Sequence, residues 1–355
     1  MSDRFEALPA TERVVAGLSA RVPTNPFATV KYFEARRRAG WSAWLIARLE
    51  PGGGLDFGCG AFLTRRARFL KIEIPSLPPV PVDSRFWDCL KEFCRAQDAT
   101  KVELNTFGSP PGVEIPDLGK CTHRDRCEWI LDLEEGDLRA RMDNRHRANI
   151  KKAEQARLAV LRTHSVDAVC AHQAMIGRSL DRRRARGEEV PVVDSSVEPV
   201  ALLQTGAAEI YQAIAGEVVL SSALVLRSPK GAYGHSTGTS PDGMNIGASH
   251  YLINTIAERL RAEGVPALDF GAAEEGSGLA RFKRGFGTSP VHLPSAVCYV
   301  GPRWRRKAYR ALESVRSEQR ALASSLQRRI SRSKVPSALE IPVCATGSRH
   351  TREVV

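Results

Sequence analysis

Pro266-Ala-Leu-Asp-Phe-Gly271, followed after a short polar loop by Gly278-Leu-Ala-Arg-Phe-Lys-Arg-Gly-Phe-Gly287, is the stretch on which the fold of this chain turns. Its first part is a brief apolar run stopped by glycine, which reads as a buried strand. Its one charged residue, Asp269, stands at the strand end, where open α/β sheets place their ligand crevices. Upstream, Ala248–Glu263 carries Leu252, Ile256 and Leu260 at helical spacing and stops at Gly264. Before that helix, Ala208–Ala215, Glu217–Arg227 and Gly231–Gly238 read as antiparallel strands joined at Gly216 and at Pro229-Lys230-Gly231. Ser295–Val300 supplies a last strand. Strands flanked by helices in this order imply a mixed sheet of the α+β or α/β kind.

The first half has a similar outline without a repeated sequence. A helix over Lys31–Gly40 precedes strands at Trp41–Leu49, Leu55–Leu63 and Ala67–Glu73. Asp83-Ser84 offers an N-cap to a helix over Arg85–Gln97, whose Phe86, Leu90, Phe93 and Cys94 share a face. Lys101–Phe107 is a strand, and the Pro- and Gly-rich Gly108–Gly119 reads as a connection. The second half begins with a strand over Glu128–Leu133 and one continuous helix over Asp137–Ala156. A strand at Ala159–Thr163 and a helix from Val166 to about Arg186 follow, and Leu202–Thr205 fits no single element. Trp304–Ile330 reads as a basic helix with an apolar stripe (Tyr309, Leu312, Val315, Leu322, Leu326), and an unstructured tail is expected beyond Ser333.

The 355 residues carry a net charge of +12. Arg139–Arg186 holds a net +9, Arg303–Lys334 another +9, and the remainder about −6. Two basic segments on a mildly acidic body favour phosphate-rich partners. No apolar run approaches the ~18 residues of a membrane span. Met1–Pro23 lacks the apolar centre of a signal peptide, so a cytoplasmic location is expected. Eight cysteines are then expected to be reduced thiols. Cys121-Thr-His123-Arg-Asp125-Arg-Cys127 brings metal-ligating types together, but at no common zinc spacing and without an evident fourth ligand, so no metal is expected.

Several segments together resemble the FemABX group of acyltransferases. Arg145–Glu154 is similar to its "R-x-x-I-x-K-A" helix, Tyr233–Gly238 to its "Y-x-G-S" strand, and the stretch quoted first to its "D-F-G … G-L-x-x-F-K-x-x-F-G" run. The resemblance covers Glu128–Gly301 well and residues 20–120 only in pattern. It implies two tandem acyltransferase folds of the GNAT type: an N-terminal domain over 20–120, a C-terminal one over 121–302 carrying the transfer motifs, then the basic helix over 303–332 and a flexible tail over 333–355. The long helical arm of some peptidoglycan-modifying members is missing. Pro241–Ala248 stands where a GNAT coenzyme A loop belongs, without its leading Arg or Gln.

The candidate site follows from these motifs. Lys283 is the first choice for catalysis. Aromatic neighbours pack and direct its cation outward, and the resemblance implies contact with a tRNA phosphate or with developing negative charge. Asp269 suits either a base whose pKa burial raises or a cap of its own turn. His235 is either a proton carrier or an ordinary core or surface histidine. Arg145, Lys151, Lys152, Gly247 and Arg284 are candidates for gripping donor phosphate, with Gly247 at a helix N-terminus. Tyr233, Glu274 and Glu275 are candidates for the acceptor, the two glutamates being equally plausible as plain loop charges.

The implied activity is an N-acyltransferase that joins an activated acyl or aminoacyl group to a small-molecule amine, with no tightly bound cofactor. Aminoacyl-tRNA is favoured as donor on charge, with an acyl-coenzyme A-dependent GNAT acetyltransferase as the alternative. A nucleic-acid-binding protein without chemistry is the competing class. It fits poorly, since no helix-turn-helix, zinc finger or base-stacking aromatic stripe is visible.

Overall fold

A computed structural model describes residues 5–50, 52, 54–188, 197–315 and 353–354. The first half contains β1 (Phe5–Pro9), α1 (Glu12–Arg21), α2 (Val30–Arg38), β2 (Ser42–Leu49), β3 (Leu55–Arg66), β4 (Phe69–Ser76), α3 (Ser84–Ala96) and β5 (Lys101–Phe107). The second begins with β6 (Lys120–Asp132), α4 (Leu138–Arg141), α5 (Asn144–Gln155), β7 (Ala159–Thr163), α6 (Ala168–Ala185) and α7 (Val197–Gln204). It continues through β8 (Ala208–Ala215), β9 (Val218–Ser228), β10 (Gly231–Thr239), α8 (Pro241–Asn245) and α9 (Ala248–Ala262) to β11 (Ala267–Ala272), α10 (Gly278–Arg284) and β12 (Ser289–Tyr299). Glu353–Val354 form a two-residue β13 against β7.

All strands join one mixed sheet in the order β1-β2-β3-β4-β5-β12-β6-β11-β10-β9-β8-β7-β13. β12 welds the halves: it pairs antiparallel with β6 from Ser289↔Ile130 to Tyr299↔Lys120, and with β5 from Ser295↔Asn105 to Tyr299↔Lys101. Helices cover both faces. Phe86, Leu90 and Phe93 of α3 pack on Ile46, Ile72 and Leu104 of the first half. Leu252, Ile256 and Leu260 of α9 pack on Leu131, Val225 and Leu268 of the second. A third core, with Phe33 of α2, Leu202 of α7 and Leu224 of β9, fastens the halves together on the other face. The sheet layers are therefore held by continuous apolar burial, the main favourable term in folding.

Several expectations are corrected. The helix expected over Asp137–Ala156 breaks at Met142, because the Asp143 side chain accepts from the His146 amide and starts α5 afresh. Arg141 therefore lies off the α5 face and bonds Glu135 and the Asp132 carbonyl instead. The strand expected at Glu128 begins at Lys120, and the last strand begins at Ser289; their polar halves support one another across a gap of some 160 residues. Met1–Pro23 is structured from Phe5 onward as β1 and α1. The cysteines are not all thiols, since Cys121 is bonded to Cys298, its register partner on β12. Strand register brings these two together, and spacing along the chain could not.

The C-terminal basic segment is helical over 303–315, where Tyr309 is buried against Phe69 and Tyr299 and Arg305 pairs with Asp98. Residues 316–332, with Leu322 and Leu326, lie outside the described residues, as does the expected tail apart from 353–354. No helix among the described residues is long and apolar enough to cross a membrane.

Candidate active site

The second half contains a parallel strand pair that parts. β10 and β11 are in register only at Ala232↔Leu268 and Tyr233↔Asp269. Beyond that point β10 bulges at His235 and runs on to Thr239, while β11 turns away at Gly271, where φ is +73°. Asp269 drives the turn: its Oδ1 accepts the Gly271 amide at 2.6 Å and removes that N–H from the ladder. Glycine is needed at 271 because left-handed φ disfavours a side chain.

The gap opens into a cleft of about 1700 Å³. Thr237 and Thr239 of β10 face Ala272, Glu274 and Glu275 beyond β11 across it, and Ser249 near the start of α9 also borders it. Met244, Leu279 and Phe282 give it an apolar side, while Arg182, Arg183 and Arg186 at the end of α6 stand at the basic side. The Arg182 guanidinium donates to the Thr239 carbonyl at 2.6 Å, tying α6 to the end of β10.

Beneath this cleft lies a buried polar network. Glu128 is 1% exposed and Asp269 4%. Burial pushes the Asp269 pKa well above the usual carboxylate range, and the adjacent Glu128 charge and hydrogen bond push it further. Asp269 therefore holds its proton more tightly than an ordinary carboxyl does. Arg126 ion-pairs with Glu128 at 2.6 Å, donates to the Tyr233 hydroxyl at 2.8 Å and to Asn105 Oδ1 at 3.0 Å, and borders the cleft itself.

Lys283 corrects the expectation of an outward cation. It is 5% exposed and points inward from α10, its Nζ donating to the carbonyls of Gly271 at 2.8 Å and Ala272 at 2.9 Å. Burial lowers its pKa to about 8, despite the opposing pull of Asp269 and Glu128. The lysine holds the lip of the cleft from behind. Together these groups can hold or release a proton near neutral pH and present a cation, Arg126, to a ligand.

The remaining candidates scatter. His235 is exposed but recessed near Arg36 and Glu198, and desolvation lowers its basicity; it does not border the cleft. Tyr233 is buried between Phe27 and Phe107, and burial raises the pKa of its hydroxyl. Glu274 and Glu275 are exposed on the cleft wall. Arg145, Lys151 and Lys152 are exposed on α5, away from the cleft. Arg284 lies over the Trp129 ring at 5.3 Å. Gly247 lets α9 start against α5: a Cβ there would meet the Asn149 carbonyl oxygen at 2.3 Å. Arg182–Arg186 closes the helix expected from Val166 to about Arg186, is helical through Ala185, and is the part of the basic segment that reaches the cleft.

Arg126 and Glu128 escape a reading by apolar pattern. Their available signal is the alternation Arg126-Cys-Glu128 just before the apolar Trp129–Leu133, which puts two opposite charges on one strand face. Two triads of metal-ligating types also occur among the described residues, Asp117/Cys121/His123 and Cys127/Glu275/His292. The sulfur of the first is committed to the disulfide.

Residues 140–284 match the family model for the acetyltransferase (GNAT) domain. The fold is similar to that of FemX, with a TM-score of 0.60 and 16% identity over 82% of this chain and 96% of that one. It is also similar to the C-terminal domain of a lysylphosphatidylglycerol synthetase from Agrobacterium fabrum, with TM-score 0.51 and 14% identity over 84% of this chain and 95% of that one. A tandem GNAT protein from the clavulanic acid biosynthesis pathway gives TM-score 0.51 and 14% identity, over 84% and 99%. No curated protein sequence matches the chain. The fold is therefore of the tandem GNAT type expected from the FemABX resemblance, and residues 140–284 of its second half match the GNAT domain model.

Proposed function

We propose that this FemABX-like tandem GNAT protein is an N-acyltransferase that moves an activated aminoacyl group from tRNA to a small-molecule amine. We take the domains as 20–120 and 121–302, with transfer in the second. The observation that carries the reading is the parted β10–β11 pair above the buried Glu128–Asp269 pair, with Arg126 beside it at the cleft. Amide formation needs a polarised carbonyl and an amine freed of its proton, held in contact. In this reading the acyl group enters the gap between the strands, and Arg126 stabilises the oxyanion that develops on its carbonyl. Glu274 holds the acceptor amine, and Lys283 positions the lip at Gly271–Ala272.

The choice of donor is supported by the turn before α9. The amides of Gly243, Met244, Ile246 and Gly247 are already bonded to acceptors within that turn, so they make no cradle for a pyrophosphate. Cationic contact falls instead to Arg182, Arg183 and Arg186, side chains suited to a nucleic-acid backbone. An acyl-coenzyme A donor is the second reading, favoured by Ser249 at the α9 N-terminus, which borders the cleft.

The test is to incubate the protein with charged tRNA, and separately with acetyl-coenzyme A, against a panel of amines, and to look for amide products by mass. Product from tRNA alone supports the proposal. Product from acetyl-coenzyme A alone replaces the donor, and no amide from either overturns the reading.

A further inference from the structure

We propose that Cys127, Glu275 and His292 form a binding site for one divalent metal ion of the zinc class on the wall of the cleft. Their ligating atoms all lie within 4.8 Å of one another. Two of the three come from rigid strands, since Cys127 on β6 and His292 on β12 are direct register partners in the antiparallel pair. The third follows β11 in a loop tied down where the Ala273 amide donates to the Cys127 carbonyl at 2.9 Å. Neither adjacency nor spacing in the sequence joins these residues; strand pairing does.

The ring of His292 is already oriented for a metal. Its Nδ1 faces Asp125 Oδ2 at 3.2 Å, which leaves Nε2 directed at Glu275, whose Oε1 is 3.9 Å away. A carboxylate holding one ring nitrogen so that the other can ligate is the usual second layer of a histidine–zinc bond. Tetrahedral zinc with its ordinary bond lengths would space such ligand atoms about 3.4–3.6 Å apart. The observed spacing, 4.8 Å or less, exceeds that by up to about 1.4 Å, and Glu275 and His292 are exposed, so rotation of their side chains can close the difference. On binding, the Cys127 S–H bond breaks, its proton passes to solvent and a sulfur–metal bond forms, with no change of oxidation state. A nitrogen, sulfur and oxygen set with three protein ligands leaves a fourth position open, as in zinc sites that act on substrates.

The site can be tested without any activity assay. Full-length protein freed of metal by a chelator is titrated with Co²⁺ and followed by absorption. One equivalent should produce a thiolate-to-cobalt band in the near ultraviolet, and Zn²⁺ should abolish it. Cys127→Ser should remove the band. Asp125→Asn should weaken Co²⁺ binding about ten- to a hundredfold, the usual cost of losing such a partner. Cys121→Ser should leave binding unchanged, which separates the site from the other triad. His292→Ala changes an exposed residue and so keeps the test open if Cys127→Ser does not fold; it too should weaken binding. Absence of the thiolate band, its survival in Cys127→Ser, or unchanged affinity in His292→Ala would overturn the proposal.

Discussion

The two halves each contain a parallel strand pair in the same topological place, and only one pair has opened. In the first half β4 and β5 stay in register from Lys71↔Lys101 to Ile74↔Leu104, shift once, and still pair at Ser76↔Phe107, where the Leu77 amide reaches the Phe107 carbonyl. In the second, β10 and β11 part after two residue pairs. The charges differ in the same sense. Along β4–β5, Lys71 bridges Glu73 and Glu103, Lys101 bridges Glu103 and Glu313, and Arg36 reaches Glu73. Burial raises the Glu103 pKa, but Lys71 and Lys101 outweigh it and hold the carboxyl below its usual range. Along β6–β11, two buried carboxyls lie together, Arg126 is paired with Glu128 alone, and burial beside Glu128 raises the pKa of Asp269. One half uses matched charge to close a strand pair, while the other keeps unmatched charge beside an opening. Poised proton affinity of that kind is characteristic of sites that carry chemistry.

The sharpest way to break this contrast is to neutralise one carboxyl in each half. Asp269→Asn keeps an oxygen for the Gly271 amide but removes the titratable carboxyl. Turnover should fall about 10²–10³-fold, the scale of losing a preorganised electrostatic contact. Glu73→Gln should leave turnover within about twofold, as expected of a group that does not border the cleft. Equal losses in both would end the functional asymmetry of the halves.

The second prediction concerns stability against pH. The folded pKa of Lys283 is about 8, below its ordinary 10.5, so the unfolded chain binds more protons between those values. Wild-type stability should therefore gain up to about 3 kcal/mol from this group as pH rises from 8 to 10.5. Lys283→Met should lose that gain. Lys71 is shifted upward by Glu73 and Glu103 against the cost of burial. Its contribution is thus fully present at pH 8 and is lost only as pH rises from the ordinary lysine value through its folded pKa. Denaturant melts of Lys283→Met and Lys71→Met beside the wild type, from pH 8 to 10.5, should show a contribution that rises with pH for Lys283 and stays flat for Lys71.

The smallest expected effect divides the basic segment. Replacing Arg182, Arg183 and Arg186 with alanine should weaken binding of charged tRNA about tenfold and flatten its salt dependence. Replacing Arg145, Lys151 and Lys152 should change affinity less than about twofold, since exposed charges remote from a ligand are screened. Binding curves at two salt concentrations check both. The reverse order would move the donor site from the cleft to α5.

The family-like motifs fall in the second half of the molecule, and many of their side chains pack rather than border the cleft. Arg147 of the "R-x-x-I-x-K-A" helix donates to the carbonyls of Arg139, Ala140 and Met142, and Ile150 and Ala153 are core. Phe286 is fully buried, and a Cβ on Gly285 would strike the His146 ring. The motif run is thus largely a latch that seats α10 on α5 and on the end of β11. Strong local patterns of this kind are legible because packing constrains them at short range.

By itself, the sequence determined the class of fold, most of the helices and strands, and the basic character of one flank, since amphipathic period and glycine stops act over a few residues. Only the tertiary structure decided that β12 returns to join the halves, that Lys283 turns inward, and that Cys121 meets Cys298. It also decided which arginines reach the cleft and that Arg126, Glu128 and Asp269 form one network. Those outcomes depend on register between strands over a hundred residues apart and on burial, which sets proton affinity. Neither quantity is written in any local window of the chain.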